Sequence, residues 1–589
     1  MFLGGNLMKK IISMALVGLM LLLTLSGCAV DPEDKGAMIP VSISKEMKSY
    51  DPVPMIYDAE LVKNTGLLFE GLTIVDDSGK VKAGLAKEWY TKIDEERGEY
   101  SLYFELKEGT SWDDEKYVQA DDFVYAWRRI LSPSTSSPAA ALLYNIKNAK
   151  AYKAGDVTAD DLGVYAESDV LLKVEFEGPF DLDQFLLNVS SPSLVAQRED
   201  NVYKHEETWA TTLDNFAANG PFTLKNLNAG ERMTFQRNPV YLREKEEDSA
   251  VFKVVKPWKL MQDFTLSTEE QMEEFKAGES FFISNFTKET YAENEKKMKT
   301  VDLLSVYSYF FNTTKAPFDN ALVRQALSIA LDREEISEIS GLGVKPATGL
   351  VTYGVQDTKS SKSFRKKGGD LIDTTANLDE AKALIKKAGI TPSDYTFTIY
   401  TLRDAADVAI AEYTKDVWES LGFKVKLSSG GGKMYTNKLY YGDFDVIGID
   451  YQGLTTDAFS FLAPFAKEYS GEAINIESEE RNAPHVTGFD NKEYNELIDK
   501  IFNTLDNKER VALLHEAEEM LLELAPVAPL HFNVNSYIKS KKLSGLEVSG
   551  YGYVIFTEAK LKNYEETNAI ITEEENARKQ AEIEANKNK

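Results

Sequence analysis

The sequence predicts an α/β fold with a mostly parallel sheet, divided over two or three domains. Residues 395–451 alternate strand-like and helix-like patterns in the order strand, helix, strand, helix, strand. Such units form parallel sheets because each crossover helix returns the chain to the same end of the sheet. About 560 residues follow the first 27, more than one hydrophobic core usually serves. The same alternation continues to about residue 560 without a long linker, so the domain boundaries are hidden.

The strands and helices of this unit are short segments with apolar residues at periods of two and 3.6. They are the strand YTFTIY (395–400), a helix over 405–421, the strand FKVKL (423–427), a short helix near 433–440 and the strand DFDVIGIDY (443–451). Ligands of parallel sheets bind at the carboxyl ends of the strands. Asp450 and Tyr451 stand where the last strand ends, so the sequence places a candidate site there.

Three amphipathic segments predict helices that pack on a core. They cover 121–131, with Phe123, Trp127, Ile130 and Leu131 on one face, 320–332, with Asp319 or Asn320 as cap, and 510–524, ended by Pro526. In the second helix Arg324 is expected to point outward.

The first 28 residues have the pattern of an export signal. Lys9 and Lys10 precede an apolar run that ends in small residues and then Cys28, the only cysteine of the chain. A transmembrane anchor is the alternative, since the run reaches the lower end of the spanning range. Met8 fits the pattern better than Met1 as the first residue. With one cysteine, the folded part has no internal disulfide.

Composition and motifs exclude several classes of function. The formal net charge of −28 repels phosphate backbones, so nucleic-acid binding is not expected. The four histidines have no metal-ligand spacing, and no nucleophile, zinc-protease or nucleotide-binding motif occurs. Gly430-Gly431-Gly432-Lys433 lacks the spacing of a phosphate loop. Neither a cofactor nor a metal nor an enzymatic activity is predicted.

Five stretches resemble known patterns, one of them a lipoprotein signal and the other four a protein family. Leu25-Ser26-Gly27-Cys28 resembles the lipobox of bacterial lipoproteins. The other stretches are similar, in order, to the bacterial extracellular solute-binding proteins of family 5, which serve peptide ABC transporters; they are GLLFEGLTIVDDSGKVKAGLAKEW (66–89), TSWDDEKYVQADDFVYAWRRILSP (110–133), FAANGPFTLKNLNAGERMTFQRNPVY (216–241) and FFNTTKAPFDNALVRQALSIALDREEI (310–336). The resemblance covers about residues 44–562 and is that of a Gram-positive oligopeptide-binding lipoprotein.

The resemblance implies a two-lobed fold of the periplasmic-binding-protein type with an extra domain. VYSYFFN (306–312) and PLHFNVN (529–535) match the strands that cross between the lobes. The implied division is a signal peptide (1–27), a tether (28–40), lobe I (41–71, 190–304 and 536–565), an extra domain in lobe I (72–189), lobe II (305–535) and a charged tail (566–589). The tail is expected to be a frayed helix or disordered, and disorder is favoured.

For the ligand, the family pairs the α-ammonium of an extended peptide with an aspartate in an Asp-Tyr motif. Asp450 and Tyr451 match that motif, and Asp457 is a rival anchor because Gln452-Gly453-Leu454 departs from the family's continuation. The further substrate-binding residues predicted are Met55, Tyr57, Phe310 and Asn312. A different interpretation of Asp450 is a strand-end aspartate that caps the next turn.

The implied function is a monomeric receptor on the outer face of the cell membrane, lipid-anchored through Cys28. It would bind oligopeptides between its lobes and deliver them to the permease subunits of an ABC transporter. On the same fold the ligand could instead be a signalling peptide, a sugar, haem or a nickel complex. A surface lipoprotein enzyme or a chaperone is the alternative from another class.

Overall fold

The computed structural model describes residues 35–47, 49–53, 59–76, 79–205, 208–227, 231–241, 255–358, 363–473 and 487–587. The strands are β1 Met38–Ser42, β2 Thr73–Val75, β3 Val81–Ala83, β4 Ala86–Asp94, β5 Glu99–Leu106, β6 Val164–Ser168, β7 Leu171–Phe176, β8 Phe222–Leu227, β9 Arg232–Arg237, β10 Lys259–Asp263, β11 Phe282–Ile283, β12 Lys299–Phe311, β13 Lys345–Pro346, β14 Thr396–Leu402, β15 Lys424–Gly430, β16 Val446–Gln452, β17 Val527–Lys539, β18 Leu543–Ser544, β19 Glu547–Val548, β20 Val554–Ile555 and β21 Lys560–Leu561.

The helices are α1 Ala59–Leu68, α2 Ala120–Leu131, α3 Ala149–Ala154, α4 Leu182–Asn188, α5 Glu199–His205, α6 Thr268–Ala277, α7 Lys288–Asn294, α8 Ala321–Ile329, α9 Arg333–Ser340, α10 Phe364–Gly368, α11 Leu378–Ala388, α12 Ala405–Ser420, α13 Gly432–Tyr441, α14 Phe459–Leu462, α15 Lys492–Asn503, α16 Asn507–Leu524 and α17 Tyr564–Lys587. In the described part of the chain, no helix is both long enough and apolar enough to cross a membrane.

One sheet of eleven strands runs through both lobes, in the order β15-β14-β16-β12-β17-β11-β1-β10-β9-β8, with β13 beside β17. At one end β14 pairs in parallel with both β15 and β16, which confirms the predicted βαβαβ unit. We call the half with β14–β16 lobe II and the half with β1 and β8–β11 lobe I. The mixed α/β fold with two lobes is therefore as predicted.

The long strands β12 and β17 join the two halves. They pair antiparallel from Lys299 opposite Tyr537 to Phe310 opposite Val527. The end of β17 goes on to pair with β11 of lobe I, where Lys539 lies opposite Phe282. Both segments predicted as crossings, 306–312 and 529–535, fall within or at the end of these strands. We refer to β12 and β17 as the junction.

An additional sheet lies within residues 86–176, inside the range predicted for the extra domain. Its order is β4-β5-β7-β6, all antiparallel, and α2 packs on β6 and β7. The four apolar side chains predicted for the inner face of α2 are all fully buried. The Asp122 carboxylate accepts a bond from the Gln119 backbone N–H at 2.9 Å and so closes the start of this helix.

The predicted outward position of Arg324 is wrong. This residue is buried, and its guanidinium donates to the carbonyl oxygens of Phe318, Leu524 and Ala525. The last two carbonyls belong to the end of α16, where helix C-termini leave acceptors without partners. Because burial opposes the charge, the pKa of Arg324 falls to about 10. Arg324 therefore stays charged and ties two helices together.

The charged end of the chain is a helix rather than a disordered tail. Its first half is attached to lobe I, because Asn568 accepts from the Met38 backbone N–H at 2.8 Å and Ile571 packs against Met38 and Met261. Lys259 adds an ion pair with Glu575 at 3.1 Å. These contacts supply the tertiary packing that composition alone does not reveal.

Candidate functional site

The candidate site is centred on Asp450, near the carboxyl end of β16. Asp450 lies beside the junction, since its backbone pairs in register with Tyr307 of β12. Its carboxylate accepts a hydrogen bond from the side-chain amide of Asn533 on β17 at 2.7 Å. The same amide reaches the Ser305 hydroxyl of β12 at 2.8 Å. Three neighbouring strands thus hold the Asp450 carboxylate where the lobes meet.

A second source of carboxylates is the start of α12. Asp404 is the N-cap residue of this helix and accepts from the Ala406 backbone N–H at 3.0 Å. Asp407 follows in the first turn. Because β14 and β16 are parallel neighbours, the turn after β14 comes to the same edge of the sheet as Asp450.

Lobe I contributes a cation to this edge. Lys45 follows β1, and its ammonium forms an ion pair and hydrogen bond with the Asp404 carboxylate of lobe II. Burial by itself raises the pKa of Asp404, but the charge and the hydrogen bond of Lys45 outweigh burial, and the pKa ends below its ordinary value. Asp404 of lobe II therefore faces lobe I directly.

The pKa of Asp407 is shifted in the opposite direction, above its ordinary value. Burial raises its pKa most, the negative charges of Asp450 and Asp404 raise it further, and Lys45 offsets only part of this rise. Two neighbouring carboxyl groups in a poorly solvated place cannot both lose their protons without a large cost in free energy. The group of Asp404, Asp407 and Asp450, which we call the acidic edge, therefore brings three carboxyl groups together, and the other two raise the pKa of Asp407.

The side chains beside the acidic edge are aromatic and neutral. The ring of Tyr307 stacks on His531 at 5.2 Å between centroids with 16° between the planes. Burial lowers the pKa of His531 to about 3, so this imidazole carries no charge at physiological pH. Gly448 makes room for the tyrosine, since a Cβ at that position would lie 2.3 Å from the Tyr307 hydroxyl oxygen.

Two of the predicted binding residues lie in the core instead of beside Asp450. Tyr451 points to the other face of β16, as alternation along a strand requires, and its hydroxyl donates to the Phe461 carbonyl at 2.9 Å. Phe310 packs against Tyr451 and Phe465 with ring centroids 5.5 and 5.7 Å apart. Both side chains are fully buried. In this structure they stabilise lobe II by packing.

Asn312 is occupied by the loop that follows β12. Its amide donates to the carbonyls of Gly442 and Phe444, both at 3.0 Å, and its side-chain oxygen accepts from the Thr314 backbone N–H at 3.1 Å. These bonds fix the turn between β12 and α8.

Asp457, the rival anchor, is already paired. Its two oxygens accept from the Arg510 guanidinium at 2.6 and 3.1 Å, and one of them also accepts from the Phe459 backbone N–H at 2.7 Å. Both side chains are about nine-tenths buried. A carboxylate with a bidentate guanidinium partner has a structural role and needs no ammonium to balance its charge.

The remaining predicted residues lie outside the described part of the chain. Met55 and Tyr57 fall in 54–58, and Cys28 falls in 1–34. Their roles stay predictions.

Sequence reasoning missed Lys45, Asp404, Asp407 and Asn533. The two aspartates could have been found, because they follow the predicted strand 395–400 by the rule that selected Asp450. Asn533 lies within a predicted crossing strand, but nothing in the sequence says which crossing residue faces Asp450. Lys45 could not have been found, since only the tertiary fold brings it next to residue 404.

The described residues contain no cluster of three or more His, Cys, Asp or Glu side chains arranged to hold a metal ion. An open surface depression of about 470 Å³ lies elsewhere, between Pro317, Asn320, Ile390 and Tyr395. It is lined by the end of lobe II away from Asp450, so it does not belong to the candidate site.

Comparison with known proteins gives one family. Residues 80–472 match the family described as bacterial extracellular solute-binding proteins, family 5. The dipeptide-binding protein DppE of Bacillus subtilis is 29% identical over 523 residues, 87% of this chain and 90% of that protein. The oligopeptide-binding protein OppA of the same organism is 26% identical over 505 residues, 84% of this chain and 87% of that protein.

Solved structures show the same fold. The murein tripeptide-binding protein MppA of Escherichia coli is 25% identical, with a TM-score of 0.73 over 89% of this chain and 98% of that one. The unliganded open form of MppA covers 89% and 97%, at 26% identity, but its TM-score is only 0.57. This chain thus superposes better on the first MppA structure than on the open form.

Proposed function

The chain belongs to the bacterial extracellular solute-binding proteins of family 5, and we propose that it is an oligopeptide receptor that holds its ligand between the two lobes. The observation that carries the proposal is the acidic edge, where Asp450 of lobe II faces lobe I at the junction. Membership of this family also assigns the chain an extracellular or periplasmic place of action and a role as a binding protein.

The relatives support a peptide as the ligand. The two relatives from Bacillus subtilis are named for binding dipeptides and oligopeptides, and MppA for binding a murein tripeptide. A free peptide carries an α-ammonium, and a charge-assisted hydrogen bond between ammonium and carboxylate is about twice as strong as a neutral one. The three carboxyl groups of the acidic edge would attract this ammonium.

We assign the anchoring role to Asp450. The Asn533 amide orients its carboxylate by donating to Oδ1. We do not assign this role to Asp457, because its carboxylate already pairs with the Arg510 guanidinium. Breaking that buried pair would leave a buried charge uncompensated. The rest of an extended peptide would be held through its backbone, which gives affinity with little dependence on side chains.

The remaining proposals concern the cellular setting. We propose that Cys28 carries a lipid that anchors a monomeric receptor to the outer face of the cell membrane, and that ABC permease subunits receive the peptide. Two or more acyl chains suffice for stable anchoring where one is marginal. The division into lobe I, extra domain and lobe II at the predicted residues belongs to the same proposal.

The test of peptide binding uses the full chain purified in detergent. The chain is incubated with a tryptic digest of casein, washed, and the retained peptides are identified by mass spectrometry and resynthesised for calorimetry. We expect saturable 1:1 binding of at least one peptide, and no heat from sugars or haem under the same conditions. Retention of no peptide of any length, or binding of a sugar or haem instead, would overturn the proposal.

The lipid anchor has its own test. Cells that express the chain are labelled with a palmitate analogue, and membranes are separated from the medium. The parent chain is expected in the membrane fraction with label, whereas Cys28→Ser should lack label, with Ser26→Thr as a control that keeps the cysteine. Label on the Cys28→Ser chain would contradict the assignment.

A further inference from the structure

A second bridge between the two lobes lies outside the large sheet. It joins the extra domain, at residues 136–150, to the part of lobe II that follows the acidic edge, at residues 469–473 and 499–502. The two parts belong to different lobes and are far apart in the chain, so their contacts join the lobes outside the junction. Three groups of polar contacts are among them, and the rings of Tyr144 and Tyr469 also pack together, with centroids 5.8 Å apart.

The first contact is a lysine of α3 held by lobe II. The Lys150 ammonium donates to the Tyr469 hydroxyl at 2.6 Å and pairs with the Asp499 carboxylate at 3.3 Å. The Tyr469 hydroxyl in turn donates to Asp499 at 2.7 Å. The same ammonium lies 4.2 Å from the ring centroid of Tyr469 and 4.7 Å from that of Phe502. Such cation–π contacts strengthen when the cation is partly desolvated.

The second contact joins two backbones at Gly471. The Ser137 backbone N–H donates to the Gly471 carbonyl at 2.9 Å. Gly471 has φ of +69°, and a Cβ there would lie 2.0 Å from the Ser137 carbonyl oxygen. Only glycine permits both this conformation and this approach. Glycine at position 471 therefore allows lobe II to pack closely against Ser137 of the extra domain.

The third contact is a pair of side-chain bonds at Ser136. Its hydroxyl donates to the Glu472 carboxylate at 3.0 Å and accepts from the Ala473 backbone N–H at 3.0 Å.

The outer contact of the bridge is of a kind that can break, whereas Ser137, Tyr144 and Tyr469 are buried in it. The side chains of Lys150 and Asp499 are 35% and 51% exposed, so water can replace their contacts when the lobes separate. This distinguishes the bridge from the junction, whose strands are continuous through both lobes. The chain also superposes less well on the open form of MppA, with a TM-score of 0.57, than on the other MppA structure, with 0.73, as expected if the bridge belongs to the closed state.

We propose that the bridge between residues 136–150 and residues 469–473 and 499–502 is a latch that forms when the lobes close and sets how long a bound peptide is retained. This rests on the proposed function, since retention is defined for a peptide ligand. The latch acts on the closed state alone, so it slows peptide release and leaves the association rate nearly unchanged.

The test compares peptide dissociation rates by stopped-flow fluorescence, using the tightest-binding synthetic peptide from the casein digest and the full chain in detergent. Gly471→Ala places a Cβ against the Ser137 carbonyl only in the closed state. Its control is Gly389→Ala, because Gly389 has a similar φ of +73° with nothing within 4 Å of the added Cβ. We expect dissociation at least tenfold faster for Gly471→Ala and less than twofold faster for Gly389→Ala.

Lys150→Met keeps the length of the side chain and removes the charge, so it tests the latch if Gly471→Ala fails to fold. Its control is Lys382→Met on the exposed face of α11. We expect about five- to tenfold faster dissociation for Lys150→Met and no change for the control. Hydrogen exchange should also show that peptide protects the Ser137 amide in the parent chain.

The outcomes separate the two proposals. If no peptide binds the parent chain, the proposed function fails. If peptides bind but Lys150→Met and the folded Gly471→Ala release them at the parent rate, or if the Ser137 amide is equally protected without peptide, the latch is refuted and the proposed function stands.

Discussion

Two aspartates seven residues apart show how differently one side chain can be used in this molecule. Asp457 has a bidentate guanidinium and a backbone N–H as partners and is buried. Asp450 accepts from a neutral amide and lies next to Asp407, whose pKa it raises. The two carboxylates therefore differ in their surroundings: a buried guanidinium pairs with Asp457, whereas Asp450 belongs to a group of three carboxyl groups that would attract a ligand ammonium.

The largest effect is expected when the paired carboxylate is changed. Asp457→Asn leaves the Arg510 guanidinium buried with a neutral partner, and breaking a buried pair costs about 3 kcal/mol of unfolding free energy. Urea unfolding of the parent and the variant measures this loss. Peptide affinity of the folded variant should stay within about threefold of the parent's, a difference below 1 kcal/mol.

If Asp457→Asn had normal stability and strongly weakened peptide binding, Asp457 rather than Asp450 would be the anchor of the ligand. Asp416→Asn on the exposed face of α12 serves as the control for removal of one negative charge.

A smaller effect is expected at the neighbour of Asp450. Tyr451→Phe removes the hydroxyl that donates to the Phe461 carbonyl and keeps the ring packing, so it should cost about 1 kcal/mol of unfolding free energy. Peptide affinity should not change, because this side chain lies on the other face of β16. Thermal unfolding and calorimetry measure the two quantities, and a loss of affinity without a loss of stability would return Tyr451 to the ligand site.

The smallest expected effect is a change in the protonation of Asp407 when peptide binds. The folded pKa of Asp407 is raised, so between the unfolded and folded pKa values the folded state binds more protons, and this group lowers stability as the pH rises through that window. A peptide ammonium beside Asp450 should lower the pKa again and release a fraction of one proton.

Calorimetry in two buffers of different ionisation enthalpy, from about pH 5 to about pH 8, detects this release through linkage. Asp407→Asn should abolish it and flatten the dependence of stability on pH. Equal proton release by the parent and by Asp407→Asn would show that the ammonium does not bind near this group.

The sequence was sufficient for most of the fold and for one residue of the site. The βαβαβ unit, α2 and the crossing strands follow from apolar periods and from family resemblance, since both depend on local patterns. Arg324 shows the limit of this reasoning. Its position on the helix predicted a solvent-exposed side chain, but the end of α16, 200 residues later in the chain, covers it. Lys45 and Asn533 were missed for the same reason, because their roles exist only through contacts between distant segments.

The central claim, that Asp450 pairs with a peptide ammonium, is tested by combining one substitution with one change to the ligand. Calorimetry compares the parent chain and Asp450→Asn, each with the same peptide carrying a free or an acetylated N-terminus. We expect the parent chain to bind the free amine about 30- to 100-fold more tightly than the acetylated form, about 2–3 kcal/mol. Asp450→Asn should bind the two forms about equally. If Asp450→Asn kept the full preference for the free amine, the ammonium would be bound elsewhere and the account of the acidic edge would be wrong.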